Sequence, residues 1–282
     1  MEQLFSALAL GCGIYHIRMP GKTPGPGRVF SSLIVGEEKA LVIDSGYGIG
    51  DYLGYLRTLT DKPLIAVNTH GHLDHTGGNA QFGQVWLNPL DWDLAKLQSS
   101  LSVRQNSEGS RDYAQLLVDG AWTPMPLVEG TVFDLGGRTV TAHNCAGHTL
   151  GSMSFLDSGS RWLFTGDNIT RRVLLLGPIS STSLPAFYQT LCDTQKLDFA
   201  GIVAAHVPWV IPPAWIDKVK NVVESFDPTK AKPPICFDLK LPGMTPMEFT
   251  VGRDFDDPEY CGFVFDAAHM AEFTAGTIQE GR

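Results

Sequence analysis

The stretch Thr69-His70-Gly71-His72-Leu73-Asp74-His75-Thr76-Gly77-Gly78 places three imidazoles and one carboxylate within six positions. A lone histidine is more often structural than functional, but four donors crowded this closely need a common purpose. Imidazole suits zinc and iron, and mixed imidazole–carboxylate sets suit zinc, iron and manganese. Small Gly71 lets the chain bend so that His70 and His72 converge on one point. Asp74 and His75 fall where a helix begins, and face a second point a few ångströms away.

Working outward, residues 64–67 form a short apolar run suited to a buried strand, and His70 follows three residues later. Three further donors each stand at or just beyond a strand-like run: His148, in Ala146-Gly147-His148-Thr149-Leu150-Gly151; Asp167, closing residues 162–167; and His206, ending residues 202–206. Loops at strand ends can meet at one sheet edge, so these donors can join the first four. Five of the eight histidines would then be ligands.

The rest of the chain alternates in the same manner. Residues 28–35 and 39–43 read as a hairpin turning at Gly36-Glu37-Glu38, and residues 50–59 carry apolar side chains at helical spacing. Further strands are expected near 12–18, 84–87, 138–142, 152–156, 161–165 and 201–205. Helices are expected from a Ser183 cap to about residue 197, and over 214–226. The Pro- and Gly-rich residues 20–27 cannot be regular structure, and residues after 227 turn Pro-rich and irregular.

Composition sets limits on function. The chain has 282 residues, 43% hydrophobic and 18% charged, which fits a folded domain rather than disorder. A net charge of −9 without a Lys/Arg cluster disfavours a nucleic-acid partner. The five cysteines, Cys12, Cys145, Cys192, Cys236 and Cys261, are scattered and form no CxxC pair. They suit neither a disulfide framework nor a thiolate zinc site, and point to a reducing, cytoplasmic setting. Residues 1–10 contain Glu2 and no basic residue, unlike a signal peptide, and no run approaches the roughly 18 apolar residues of a membrane span. The expected partner is a small-molecule substrate, with no nucleic acid and no membrane; a homodimer is compatible.

The set His70, His72, Asp74, His75, His148, Asp167 and His206 resembles the full HxHxDH…H…D…H pattern of the metallo-β-lactamase superfamily. The resemblance implies an α/β fold, a four-layer αββα sandwich of two mixed β-sheets flanked by helices. It implies two divalent metal ions, zinc first, with iron or manganese compatible. His70, His72 and His148 would hold one ion, Asp74, His75 and His206 the other, and Asp167 would bridge them. Asp74 would also be catalytic, orienting the nucleophile or passing a proton. The implied activity is hydrolysis of an ester, thioester, lactone or related bond by a hydroxide shared between the metals.

Within that superfamily, His72 stands where flavodiiron members carry Glu, and Asp167 where true zinc β-lactamases generally carry Cys or Ser. An Asp at 167 resembles glyoxalase II, the lactonases and phosphodiesterase-like members instead, although an acidic, Pro-rich tail weakens the link to glyoxalase II itself. The alternative is a mononuclear iron persulfide-dioxygenase-like oxidoreductase using His70, His148 and Asp167. The expected organisation is a catalytic domain over 1–226, with residues 89–122 as a helical insert near the cleft. Residues 227–282 form an extension packing on that domain or on a partner subunit. Trp92, Tyr113 and Trp122 would give the insert a lid-like face, and residues 20–27 would form a flap. Arg171, Tyr188 and His143 are weaker site candidates, and Cys145 lacks a base.

Overall fold

The computed structural model describes residues 4–23, 28–176, 181–235, 243–255 and 257–276. Chain order gives β1 (Ser6–Gly11), β2 (Ile14–Arg18), β3 (Phe30–Val35), β4 (Ala40–Ile43), α1 (Tyr52–Arg57), β5 (Leu64–Val67), α2 (Leu73–Thr76), β6 (Gln84–Leu87), α3 (Trp92–Gln98), α4 (Leu101–Asn106) and β7 (Thr123–Pro126). These seven strands form one sheet in sequence order, antiparallel as far as β4 and parallel beyond it.

Next come β8 (Val132–Asp134), β9 (Thr139–Asn144), β10 (Met153–Asp157), β11 (Trp162–Gly166), β12 (Arg172–Leu175), α5 (Leu184–Thr194), β13 (Gly201–Ala204) and α6 (Trp215–Glu224). The second sheet runs β13-β11-β10-β9-β8, with β13 parallel to β11. Ile34, Leu41, Ile43 and Val67 of the first sheet share one buried cluster with Val140, Phe155, Phe164 and Val203 of the second. The other face of the first sheet packs on Tyr52 and Leu56 of α1. The other face of the second packs on α5 and α6 through Phe187, Leu191, Ile216 and Val219. Helix, sheet, sheet, helix is the expected four-layer order.

A third sheet lies outside the expected pair. The chain after residue 227 is not irregular throughout: β14 (Pro246–Val251) and β15 (Cys261–Asp266) pair with each other, and β15 runs parallel to β12. Every residue of β15 is buried. Phe249, Phe263, Phe265 and, from α7 (Met270–Phe273), Phe273 surround Phe226 at ring distances of 5.2 to 5.9 Å. Ser183 does stand at the N-cap of α5, in extended conformation, but its side chain makes no capping bond. Of the proposed flap, residues 24–27 lie outside the described residues, while Lys22 is tied to Gly109 O at 2.9 Å. Among the described residues no helix is long and apolar enough to cross a membrane.

Candidate metal centre

Parallel registers deliver the donors to one edge. Ile43 lies level with Val67, so Asp44 and the 68–75 turn emerge together. Gly166 lies level with Ala204, so Asp167 and His206 emerge together. Met153 N–H donates to Thr69 O at 2.8 Å, joining the loop that carries His148 to the first sheet's motif. Gly166 has a φ of +54°, and a Cβ there would stand 2.5 Å from Thr69 Oγ1, so only glycine lets these segments approach.

The seven expected donors gather in three overlapping groups: His70, His72 and His148; His70, His75 and Asp167; and Asp74, His75 and His206. Within each group the donor atoms all lie within 4.8 Å of one another. His72 Nδ1 stands 2.8 Å from His148 Nε2, and His206 Nε2 stands 3.0 Å from Asp167 Oδ2. Asp74 Oδ2 is 3.6 Å from His75 Nε2 and 3.5 Å from His206 Nε2.

The outward nitrogens fix the tautomers. His148 Nδ1–H donates to Leu174 O at 2.7 Å, His206 Nδ1–H to Arg28 O at 3.1 Å, and His75 Nδ1–H to Asp44 Oδ2 at 2.8 Å. Thr69 Oγ1 spends its proton on Asp44 Oδ2, so it accepts from His70 Nδ1–H at 3.0 Å. In the neutral form of all four rings the proton therefore sits on Nδ1 and Nε2 keeps its lone pair, the form in which imidazole binds a metal. His70 Nε2, His75 Nε2 and Asp167 Oδ1 are buried without any hydrogen-bond partner. Buried polar atoms are rarely left unsatisfied, and three of them facing a common point fit divalent cations.

Electrostatics divides the cradle. Burial first, then the neighbouring imidazoles, hold His70 and His72 well below the usual histidine range. Burial also opposes charge on His75, but Asp74, Asp44 and Asp167 outweigh it and raise its pKa. Burial would raise Asp167, yet His206 and His75 hold it well below the ordinary carboxylate range. The Asp74 and His206 side chains are the accessible edge, 17% and 22% exposed, whereas His75 is fully buried.

Two carboxylates escaped the sequence reading. Asp44 sits just past β4 with φ +66°, and accepts Thr69 N–H at 2.8 Å as well as the Thr69 hydroxyl and His75. Asp91, 2% exposed, accepts the Gly71 and Gly151 amides and the Thr149 hydroxyl at 2.7 Å. Gly71 is needed less for a bend than for this approach, since a Cβ there would meet Asp91 O at 2.9 Å. Asp44 had a local signal, a carboxylate directly after an apolar run at the same edge. Asp91 had none, because its partners are brought to it by tertiary packing. Asn168 adds a third support, accepting His148 N–H at 2.7 Å.

The weaker candidates have other partners. His143 pairs with Glu129 at 2.8 Å, Tyr188 donates to Glu224, and Arg171 donates to Phe255 O and Asp257 O. Trp92 and Trp122 donate to Leu87 O at 2.9 Å and to Ser99 Oγ at 3.0 Å. Burial pushes the Cys145 thiol up to about 11, which suits no nucleophile.

The sequence profile of the metallo-beta-lactamase superfamily matches residues 24–213, and the chain belongs to that superfamily. A metallo-beta-lactamase from Pontibacter korlensis superposes with a TM-score of 0.60 at 17% identity, covering 79% of this chain and 100% of that one. A superfamily protein from the archaeon Sulfolobus tokodaii superposes at 0.53 and 19% identity, covering 75% and 86%. Similar relatives include the human acyl-coenzyme A thioesterase MBLAC2, 33% identical over 181 residues, covering 56% of this chain and 64% of that protein. They also include the atrochrysone carboxyl ACP thioesterase nsrC of Aspergillus novofumigatus, 30% identical over 162 residues, covering 54% of this chain and 43% of that one. The chain thus spans under two thirds of these relatives' lengths.

Proposed function

We propose that this chain is a metal-dependent hydrolase of acyl thioesters, acting at a two-metal centre held by His70, His72, His148, Asp74, His75, His206 and a shared Asp167. The observation that carries the bond type is that two kinds of relative, one named for acyl-CoA and one for an acyl carrier protein, are both thioesterases. Ligand convergence and the orphaned buried donor atoms support the metal part.

Two divalent cations, most simply zinc, would supply Lewis acidity and a water ionisable near neutral pH. The protein does the rest. Asp44 and Thr69 hold His75 and His70 in one tautomer, and Asp91 fixes the two loops that carry His70, His72 and His148. Asp74, on the accessible edge, orients the attacking water by accepting a hydrogen bond from it. The leaving group asks little of a general acid, because a free thiol has a pKa of about 8.5.

The test is thiol release from acyl-CoA and acyl-pantetheine thioesters by purified, metal-loaded protein, beside lactones and β-lactams, with His72→Ala as control. Thioester turnover abolished by His72→Ala is expected. Faster turnover of lactones, or thiol release unchanged in the variant, overturns the reading.

A further inference from the structure

His16 is a polar residue in an apolar layer. On β2 it faces the same way as Ile14, which joins the buried cluster between the two sheets. Opposite it in register stands Ser32, also buried, so this polar pair needs a reason of its own. The two are joined by a hydrogen bond of 3.0 Å at Nδ1, and the imidazole stacks on Phe30 with ring centroids 4.5 Å apart. Its Nε2 stands 3.0 Å from Val207 O, a carbonyl that can only accept. In the neutral ring Nε2–H therefore donates to Val207, and Nδ1 accepts from the Ser32 hydroxyl.

Val207 is the neighbour of His206, and this bond is one of three that tie the segment to the first sheet. Phe30 N–H donates to Ala205 O at 2.8 Å, and His206 Nδ1–H donates to Arg28 O at 3.1 Å. The geometry gives the tie a purpose. Asp74 and His75 leave the first sheet, whereas His206 follows β13 of the second. A metal position needs its donors placed to a few tenths of an ångström. This one therefore depends on how the two sheets are fastened at residues 205–207. His206 is also the most exposed donor of its position, at 22%, so packing alone holds it least.

We infer that His16 is a positioning residue for His206, fastening residues 205–207 so that this imidazole meets Asp74 and His75 at their proposed metal position. The inference rests on the two-metal reading above and deepens it. His148, the imidazole that the second sheet gives to the other position, has separate supports in Leu174 O and Asn168. Loss of His16 thus acts on one position and spares the other. It leaves the Val207 carbonyl buried without its donor, and the segment relieves that cost by shifting.

The test uses the full chain loaded with zinc, with affinity measured by competition against a chromophoric chelator. Metal is counted first. Two ions per parent chain are expected, and a single ion overturns the two-metal reading and this assignment with it. His16→Phe, which keeps a planar ring against Phe30 but neither donates nor accepts, is then placed in two backgrounds. With His148→Ala, the position of Asp74, His75 and His206 is the one left with its full donor set. There His16→Phe is expected to weaken zinc binding about ten-fold, the low end of what partners beyond the ligands contribute. With His206→Ala, it should leave affinity at the remaining position unchanged. His16→Gln, whose amide can still donate to Val207 O, should recover most of the loss. Should His16→Phe fail to fold, Ser32→Ala frees the ring at Nδ1 and is expected to weaken the same position several-fold. A merely structural role for His16 would lower unfolding stability and weaken both positions alike. With two ions in the parent, equal loss in the two backgrounds, no loss in either, or no recovery with glutamine overturns the assignment alone.

Discussion

Asp91 accepts the backbone N–H of Gly71 at 2.8 Å, from a position twenty residues further along the chain. The same carboxylate takes Gly151 N–H at 3.0 Å. One side chain thus braces both loops of the His70, His72 and His148 group. Asp91→Asn would turn an amide donor toward at least one of these N–H groups, leaving it unsatisfied. We predict a loss of about ten- to hundred-fold in metal affinity at that position, read by chelator competition, with the Asp74, His75 and His206 position less affected.

Asp44 reaches both proposed metal positions, through His75 directly and through Thr69 to His70. Asn tolerates its φ of +66°, so Asp44→Asn keeps the backbone while losing an acceptor for at least one of its three donors. Here both metals should be held more weakly, each by about ten-fold or more. Equal metal affinity in the variant and the parent would remove Asp44 from the site.

What the sequence made legible follows from how local each signal is. Four donors within residues 70–75 can be read without knowing the fold, and His148, Asp167 and His206 each close a strand-like run. The supports of those donors are not local. Asp91 meets Gly151 sixty residues away only because β6 and β10 bring them together. The third sheet was hidden for a similar reason: β15 is a short apolar run whose partner, β12, lies in a different part of the chain. Pro246 at the start of β14 and Pro258 just before β15 made the segment read as irregular.

Phe263 belongs to β15 and lies 5.4 Å from Phe226 and 6.0 Å from Phe249 and Phe265. Replacing it with Ala should destabilise the protein by about 3–5 kcal/mol in denaturant unfolding. Truncation after residue 226 should do worse, since it strips β12 of its partner and uncovers Val173 and Leu175, both fully buried. A soluble, cooperative 1–226 fragment would contradict this account of the C-terminal segment.

His16 is buried between Ser32 Oγ and Val207 O, each at 3.0 Å, and burial lowers its pKa to about 4 despite the Val207 carbonyl. The unfolded chain takes up a proton near pH 6.5 while the native one does not. Stability is therefore lost as pH falls from about 6.5 to about 4, by at most roughly 3 kcal/mol from this residue. His16→Gln removes that titration, so its unfolding free energy should fall less steeply with acid than the parent's. Identical slopes would show that His16 carries no such linkage.

The centre itself is tested most directly by metal content per chain, measured by inductively coupled plasma mass spectrometry on the parent, His148→Ala and His206→Ala. Two metal positions sharing Asp167 predict about two ions in the parent and about one in each variant. A single ion in the parent, lost with His148→Ala but retained in full with His206→Ala, would contradict a dinuclear centre and favour the mononuclear iron alternative.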